Sequence, residues 1–267
     1  MNTNITLPYW LDSLIFEQLG AKYCRSNADM TVIDWDKNDV LNYLGTYFPR
    51  SYAESYCIFS ELFKISPNQF ANKEEISIFD FGCGTGGEII GLLNAVSECL
   101  PQINTVYVVA MDGNHHSLRL FENVIAEYMT RTRLCLNYRI TPLTIDDFYD
   151  LHVMNSILLG GFDIFMSFKA ICEFVTKDRF EQQNAYTHIA NTFLSRINND
   201  GIMVLADVST YNNVSQEWLP RMMDEGITHS PCRVMLKNEG YNQTFTVTHQ
   251  KRTNDISKIA WRIIQKL

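Results

Sequence analysis

The residues with the clearest chemical potential lie in one short stretch, ISIFDFGCGTGGEII, which runs from Ile76 to Ile90. The apolar residues from Ile76 to Asp80 predict a buried strand, a glycine-dense turn follows from Gly82 to Gly87, and a helix is expected from Gly87 to about Leu100. Strand, glycine turn and helix together present free backbone N–H groups to a nucleotide-like ligand. The glycines permit positive φ and, because they lack a Cβ, let a ligand lie against the backbone.

Two patterns fit this turn and imply different ligands. Gly82, Gly84 and Gly87 satisfy the dinucleotide fingerprint G-x-G-x-x-G, which is weak evidence when it stands alone. Asp80 together with Gly82, Gly84 and Gly86 satisfies D-x-G-x-G-x-G. A carboxylate at the end of the strand would repel a pyrophosphate, and it suits a ligand that carries a cationic amino group. A glycine turn with no ligand is disfavoured, because so many glycines after an apolar strand cost backbone entropy.

The second pattern resembles motif I of the class I S-adenosylmethionine (SAM)-dependent methyltransferases, and the resemblance covers residues 76–208 well and the later strands more loosely. It implies a Rossmann-like α/β fold, a seven-stranded sheet with helices on both faces. It also implies SAM as cofactor and S-adenosylhomocysteine (SAH) as product. On this resemblance the cofactor-binding residues of the motif are Asp80, Gly82, Cys83, Gly84, Thr85 and Gly86. We place an N-terminal helical extension or lid at residues 1–70 and the SAM-binding core at residues 71–267.

Further candidates follow the next two predicted strands. The family places an acidic residue at the end of its second strand to hold the ribose hydroxyls, and Asp112 stands there, followed by Gly113 and Asn114. A carboxylate accepts two hydrogen bonds from a vicinal diol, although an NAD site uses the same device. After the third strand the family often places an acid near the adenine amino group. Asp146 and Asp147 are the candidates, with Ile145 or Phe148 against the ring.

The end of the fourth predicted strand, Ser167-Phe168-Lys169-Ala170, is where the family places the methyl acceptor. The [ND]-P-P-[YF] pattern of methyltransferases that act on amino groups of bases or glutamine is absent, and no cysteine at this strand end supports a covalent adduct. Ser167 and Phe168 are predicted to contact the cofactor. Lys169 and Glu173 are the catalytic candidates, as general base or as groups that orient the acceptor. The alternative is that both are ordinary polar residues beside a buried strand.

Apolar runs and helical periodicities alternate through this region and predict a parallel sheet with helices on both faces. After the fifth strand the alternation ends, which favours the antiparallel last strand of the methyltransferase sheet over a dehydrogenase. We expect a turn at NEGYNQ between two extended stretches. The predicted strands are Ile76–Phe81, Val106–Asp112, Leu134–Ile140, Phe162–Phe168, Gly201–Val208, Arg233–Lys237, Thr244–His249 and Ile259–Ile264. The predicted helices are Pro8–Leu19, Asp36–Leu44, Ser51–Phe63, Gly87–Leu100, His115–Thr130 and Arg179–Ser195.

The N-terminal segment carries an aromatic cluster before motif I. Ser51 and Glu54 form an S-x-x-E pattern, which predicts a capping box and a helix start. Tyr52, Tyr56 and Phe59 would share one side of that helix, either packed on the core or forming a lid over the cofactor. In the lid interpretation Arg50 approaches a cofactor carboxylate.

Composition sets the class of protein and its partners. The chain has 267 residues, 46% hydrophobic and 19% charged, which is ordinary for a soluble globular protein. No apolar run reaches the roughly 18 residues needed to span a bilayer, and the first residues lack the pattern of a signal peptide, so we expect a cytoplasmic protein without a membrane partner. The seven scattered cysteines indicate neither disulfides nor a metal site. The net charge of −8 does not indicate a nucleic-acid partner.

We therefore predict a SAM-dependent methyltransferase, with a small-molecule acceptor favoured over RNA or protein. A weaker resemblance, carried by YLGTYFPRSYAESYCIFSELF before motif I, is to methyltransferase-like proteins associated with the small ribosomal subunit. It implies the alternative of a SAM-binding protein that works with RNA, a ribosome or a protein partner, without turnover. An NAD-dependent oxidoreductase is a third interpretation, which Asp80 disfavours. The sequence assigns neither the acceptor nor an oligomeric state.

Overall fold

The computed structural model describes residues 1–24, 35–145, 148, 152–154, 158, 160–174, 184–212, 217–230 and 232–267. Its strands are β1 (Asn4–Thr6), β2 (Glu75–Phe81), β3 (Thr105–Asp112), β4 (Cys135–Pro142), β5 (Phe162–Phe168), β6 (Ile197–Val208), β7 (Tyr211–Asn212), β8 (Glu217–Trp218), β9 (Val234–His249) and β10 (Arg252–Lys266). Its α-helices are α1 (Tyr9–Ser13), α2 (Lys37–Ile65), α3 (Gly87–Cys99), α4 (His115–Met129), α5 (Ile171–Phe174), α6 (Ala185–Phe193) and α7 (Leu219–Thr228).

One mixed sheet organises the molecule, in the order β1-β9-β10-β6-β5-β2-β3-β4. Strands β2 to β6 run parallel, and β10 is antiparallel to both of its neighbours. This confirms the predicted methyltransferase-type sheet and its antiparallel last strand. The sheet has eight strands instead of the seven of the sheet that the resemblance implied. The eighth strand is β1, which pairs parallel with the edge strand β9 from Asn4 opposite Thr246 to Thr6 opposite Thr248.

The sheet separates two apolar layers, as the sequence predicted. Successive side chains of a strand point to opposite faces, so Ile76 and Ile78 join the layer formed with α2, α3 and α4, whereas Phe79 and Phe81 join the layer formed with α6 and α7. By the same alternation Asp80 points toward the α2 and α3 side. The N-terminal segment is therefore packed on the face of the sheet that holds this carboxylate.

The predicted turn at NEGYNQ is wrong, because β9 runs through it as a strand of 16 residues. Strand β10 pairs with it along almost the whole length, with register irregularities that absorb the turn-prone residues. Gly240 lies against the ring of Trp261 on β10, where an added Cβ would come within 2.0 Å of the ring. Local turn propensity is thus outweighed by the ladder of hydrogen bonds with the neighbouring strand.

The predicted helix start at Ser51 is also wrong, because α2 continues from Lys37 to Ile65 through Pro49. The capping box lies at its true start, where the Asp36 side chain accepts from the backbone N–H of Asp39 and the Asp39 side chain accepts from Asp36. Pro49 lacks one backbone donor, which is usually costly inside a helix. The long apolar face of α2, buried from Val40 to Phe63, outweighs that loss.

Two glycines allow α3 to pack closely on α2. A Cβ added at Gly87 would lie 2.6 Å from the carbonyl oxygen of Phe48, and one added at Gly91 would lie 2.5 Å from the carbonyl oxygen of Tyr52. These are backbone contacts, so they cannot be relieved by a change of rotamer. This close packing of α3 on α2 determines the position of α2 over the glycine turn. It therefore also determines how the N-terminal segment covers the site.

We expect Gly91→Ala to reduce the free energy of unfolding by about 1–2 kcal/mol, because the new methyl group must push two helix backbones apart. The measurement is urea denaturation. Gly113→Ala is the matched control, since the nearest atoms to its Cβ lie 3.5 Å away, at ordinary contact distance. A Gly91→Ala variant as stable as the parent would contradict the packing described here.

The predicted helix Arg179–Ser195 corresponds to α6, where Asn184 caps the N-terminus by accepting from the backbone N–H groups of Tyr186 and Thr187. Residues 178–183 lie outside the described residues. Among the helices that the structure describes, none combines the length and the apolar character needed to cross a bilayer.

Candidate active site

The glycine turn between β2 and α3 is fixed by its neighbours. The N–H groups of Gly82 and Cys83 both donate to the carbonyl oxygen of Met111, each at 2.9 Å, which ties the turn to the end of β3. Gly82, Gly84 and Gly86 have φ values of 75°, 49° and 80°, a region that side chains with a Cβ rarely adopt. The turn therefore needs glycine for its backbone, and it delivers the N-terminus of α3 to the carboxyl edge of the sheet.

Asp112 is the residue that shapes this edge. One of its carboxyl oxygens accepts from the N–H of Gly84 at 2.8 Å, and the other accepts from the N–H of Asn114 at 2.8 Å. Asn114 in turn caps α4 by accepting from His116 and Ser117. Burial raises the pKa of Asp112, and the two backbone hydrogen bonds oppose that rise. Each oxygen keeps a free lone pair toward the cleft, so the carboxylate can still accept from a ligand.

A cleft opens directly over this turn and encloses, with its mouth, about 660 Å³ of space. The described residues that line it are Tyr43, Phe81, Gly82, Gly84, Met111, Asp112, Gly113, Asn114, Leu143, Thr144, Ile145, Lys169, Ala170 and Glu173. One end of the cleft is largely apolar. The other end, on the far side of the glycine turn, carries charged side chains.

The apolar end is formed by Met111, Leu143 and Ile145, and it suits a flat heterocyclic ring. Ile145, one of our two candidates for ring contact, is part of this lining. Phe148, the other candidate, is fully buried against Phe81 and is not part of the lining. The predicted adenine-contacting acids, Asp146 and Asp147, lie outside the described residues.

Asp80 is fully buried, and neither carboxyl oxygen has a hydrogen-bond partner among the described residues. Burial, with Glu88 and Asp112 nearby, raises its pKa well above the ordinary range. Buried carboxyl oxygens without partners are rare in folded proteins, and a site that receives a ligand or an ion is one setting in which they occur. The arrangement suits a cationic group and would oppose a pyrophosphate.

Lys169 occupies the charged end in a strained backbone conformation, with φ of 57°. Its ammonium group donates to the Glu54 carboxylate at 2.6 Å, and Glu54 is fully buried on α2. The ion pair therefore connects the end of β5 with the helix that covers the cleft. Glu54, which sequence analysis placed in a helix cap, instead holds this cation.

Glu173, the second catalytic candidate, lies on α5 and is open to the cleft. Burial of its carboxyl group, together with Asp112 and Asp207, raises its pKa to about 8. Because the side chain is partly exposed, water screens part of this effect. Behind it Asp207 accepts from the Tyr186 hydroxyl at 2.9 Å and from the N–H of Cys172 at 3.2 Å, and burial raises the pKa of Asp207 to about 6.

The structure gives Arg50 a different role from the predicted one. Its guanidinium group donates to both carboxyl oxygens of Asp255, at 2.8 and 2.7 Å, and the Tyr23 hydroxyl donates to the same carboxylate. This bidentate pair fastens α2 to β10 and directs Arg50 away from the cleft. The prediction that Arg50 reaches a cofactor carboxylate is corrected accordingly, because long-range pairing with Asp255 cannot be seen in local sequence.

The remaining predicted residues divide into lining and supporting groups. Gly82, Gly84, Asp112, Gly113 and Asn114 line the cleft together with both catalytic candidates. The others are buried behind the described lining, where they support the turn or the strand ends: Asp80, Cys83, Thr85, Gly86, Ser167 and Phe168. Phe168, for example, packs on Phe59 of α2 with ring centroids 6.5 Å apart.

Tyr43 is the main lining residue that our site prediction left out. Its ring covers the glycine turn closely, since a Cβ at Gly84 would lie 3.0 Å from the Tyr43 hydroxyl oxygen. Trp35 packs on the Tyr43 ring at 5.1 Å, and the Trp35 carbonyl accepts from the Asn114 side chain at 3.2 Å. The aromatic cluster before motif I was the feature of the sequence that could have indicated an aromatic residue at the site. Only the path of α2 shows that the ring that reaches the glycine turn is that of Tyr43.

Sequence analysis also did not identify Glu88, because the residue lies in the first turn of a helix, where a glutamate is common. It is 4% exposed, and burial raises its pKa to about 8, with Lys169 lowering it and Glu54 raising it. The folded protein thus keeps a proton on Glu88 that the unfolded chain has lost, so stability falls as pH rises from about 4.5 to about 8.

We expect the ligand-free protein to lose roughly 2 kcal/mol of stability between pH 6 and pH 9 through Glu88, and the Glu88→Gln variant to lose less. The measurement is thermal unfolding at both pH values. Glu98→Gln, at an exposed position on the same helix, is the control and should behave as the parent does. An equal pH dependence in the parent and in Glu88→Gln would refute this assignment.

Comparison with solved structures finds methyltransferases among the structural neighbours of this chain. The trans-methyltransferase CalH, in complex with SAH, aligns with a TM-score of 0.51 at 10% identity, over 87% of this chain and 62% of the CalH chain. The DszA carbon methyltransferase aligns with a TM-score of 0.48 at 14% identity, over 86% of this chain and 60% of that chain. A SAM-dependent methyltransferase from Aquifex aeolicus aligns with a TM-score of 0.48 at 10% identity, over 88% of this chain and 100% of that chain.

At this level of identity the CalH alignment establishes the fold, that of the SAM-dependent methyltransferases, and it confirms the predicted fold class. The chain spans less than two thirds of the length of the CalH and DszA chains. The sequence matches no protein-family model and no curated protein.

Proposed function

We propose that the protein binds SAM in the cleft over the glycine turn and transfers its methyl group to an acceptor. The observation that carries the proposal is a pair of buried carboxyl groups beside the glycine turn, Asp80 near the end of β2 and Asp112 at the end of β3. A dinucleotide would place its pyrophosphate at the turn in front of Asp80, which would oppose the added negative charge. A SAM molecule would place its ribose diol at Asp112 and its ammonium group at the turn in front of Asp80.

The residues present fit each part of this cofactor. Asp112 would accept from the ribose hydroxyls with its remaining lone pairs, and Met111, Leu143 and Ile145 would enclose the adenine. The unpaired oxygens of Asp80 would balance the charge of the ammonium group. When bound, SAM supplies an activated methyl group on a sulfonium centre.

The chain's own contribution to the reaction is alignment and exclusion of water. Methyl transfer needs the nucleophile, the methyl carbon and the leaving sulfur in line, and proximity effects can supply much of the rate. Tyr43 and Trp35 cover the turn, and the ion pair of Lys169 with Glu54 holds the covering helix in place. A small acceptor suits this covered cleft and the net charge of −8 better than a polyanion.

Calorimetric titration with SAM, SAH and NAD in parallel tests the cofactor class. We expect saturable binding of the two adenosyl ligands and none of NAD. Binding of NAD alone would overturn the proposal. Binding of SAM without transfer to small molecules, RNA or protein would instead favour a SAM-binding protein that works through a partner.

A further inference from the structure

The direction in which a methyl group would face follows from the strand order. The end of β2 lies between the end of β3, which carries Asp112, and the end of β5, which leads into Lys169 and Glu173. If the nucleoside lies on the Asp112 side, as the proposed function requires, the sulfonium centre lies toward β5. The acceptor then meets the methyl group in the part of the cleft lined by Glu173 and Tyr43.

This part of the cleft is strongly acidic. Lys169 is the cation that lines it within the described part of the chain, and its charge is already matched by Glu54. Carboxyl groups of six residues lie at or behind the cleft: Glu54, Asp80, Glu88, Asp112, Glu173 and Asp207. Burial raises the pKa of Asp80, Glu88, Glu173 and Asp207, so a cationic ligand would favour their ionisation and an anionic ligand would oppose it.

Two further observations point to a ligand rather than to a solvated acidic surface. One Asp207 oxygen has no hydrogen-bond partner among the described residues, although Asp207 is only 1% exposed and lies behind Glu173. The Tyr43 ring lines the cleft together with Asp112 and Glu173, and burial, with these carboxyls and Glu88 nearby, raises the pKa of its hydroxyl. Within the described residues, no group of these carboxyls is placed to share a metal ion.

We propose that the methyl acceptor is an amine, bound as an ammonium ion between the Glu173 carboxylate and the Tyr43 ring, with its nitrogen as the attacked atom. The proposal rests on the proposed methyltransferase function. An aromatic ring beside carboxylates is the usual environment for an organic ammonium group. Lys169, one of our catalytic candidates, is then a positioning residue, since its ammonium group is committed to Glu54.

The step balances without any further reactant. Glu173 takes one proton from the ammonium ion, and the freed nitrogen lone pair forms the bond to the methyl carbon. The bond from that carbon to sulfur breaks, and its electron pair stays on sulfur as the neutral thioether. The products are a methylated ammonium ion and a protonated Glu173, so the total charge is unchanged.

Other acceptor classes fit this charge distribution less well. A phosphate-bearing or carboxylate acceptor would bring an anion among carboxyl groups and oppose their ionisation. A phenol or thiol attacks as an anion, so its activation would add negative charge beside Asp112 and Asp207. An amine enters as a cation and attacks as the neutral free base, and a carboxylate such as Glu173, whose pKa is raised by burial and by Asp112 and Asp207, suits that proton transfer near neutral pH.

The test measures transfer of a labelled methyl group from SAM to four pools: primary and secondary amines, alcohols and phenols, carboxylates and phosphate esters, and ribosomal RNA. We expect transfer to the amine pool, with mass spectrometry locating the methyl group on nitrogen. Glu173→Gln should lower kcat/KM at least 100-fold and remove the dependence of rate on a group that titrates near neutral pH, while SAM affinity changes less than threefold. Glu173→Asp should restore part of the rate, and Glu225→Gln, at a partly exposed position on α7, is the control.

The outcomes separate the two proposals. Failure of SAM to bind would overturn the proposed function itself. Binding of SAM with transfer only to another pool, or with no transfer to any pool, would overturn the assignment of an amine. Transfer to amines at an unchanged rate in Glu173→Gln would overturn the role of Glu173.

Discussion

Replacing Asp112 with alanine is expected to weaken SAM binding by about 100-fold, or about 2.7 kcal/mol. The carboxylate has two functions that alanine cannot replace. It holds the N–H groups of Gly84 and Asn114, each at 2.8 Å, and its remaining lone pairs face the cleft where a ribose diol would bind. Loss of two hydrogen bonds to a charged acceptor at a buried position accounts for an effect of this size. Calorimetric titration with SAM measures it.

Asp112→Asn is the matched variant, since its amide keeps one acceptor oxygen and changes the shape little. We expect it to lose about tenfold in affinity, between the parent and Asp112→Ala. Circular dichroism and thermal unfolding show whether each variant remains folded. If Asp112→Ala is folded and binds SAM with unchanged affinity, the cofactor does not lie in this cleft.

Replacing Lys169 with methionine is expected to destabilise the protein by about 3 kcal/mol, because it leaves the Glu54 carboxylate buried without its cation. Glu54 is fully buried on α2, and its second oxygen already has no partner among the described residues. Urea denaturation at pH 8 measures the effect.

The double variant Glu54→Gln with Lys169→Met removes the unpaired charge and should recover most of the lost stability. Such recovery distinguishes the buried ion pair from a general requirement for lysine at this strained position. A Lys169→Met variant within 0.5 kcal/mol of the parent at pH 8 would show that the pair does not hold α2 over the cleft.

The acidic character of the site has a consequence for ligand binding. Asp80 and Glu88 hold protons more tightly than ordinary carboxyl groups, because burial and their mutual repulsion disfavour ionisation. A ligand that brings cationic groups would supply the missing counter-charge. Binding of such a ligand is therefore expected to release protons, which calorimetry in two buffers of different ionisation enthalpy would detect.

Much of the core could be predicted from local sequence. The order of apolar strands and helices fixed the parallel region, because strand and helix periodicities differ and each βα unit is a local pattern. The glycines of the turn marked its backbone, and the acid after the second strand marked Asp112, since the carboxyl ends of parallel strands meet at one edge. These features depend on residues that are near one another in the chain.

Other features depend on partners that are distant in the chain. Arg50 pairs with Asp255, more than 200 residues away, so no local pattern could show that it turns from the cleft. Lys169 pairs with Glu54, which local pattern placed in a capping box. The turn-prone residues near Gly240 form part of β9, because pairing with β10 satisfies their backbone groups.

By itself the sequence determined the strand, glycine turn and helix, the chemistry of the residues beside them and the class of ligand that they suit. Those properties follow from backbone preferences and from functional groups at fixed spacing. Only the tertiary structure decided which side chains surround the reacting end of the cleft, because α2 brings Tyr43 and Glu54 over β5 from a separate part of the chain. The acidity of that end, on which the proposed amine acceptor depends, results from burial and from the distances between charges that folding creates.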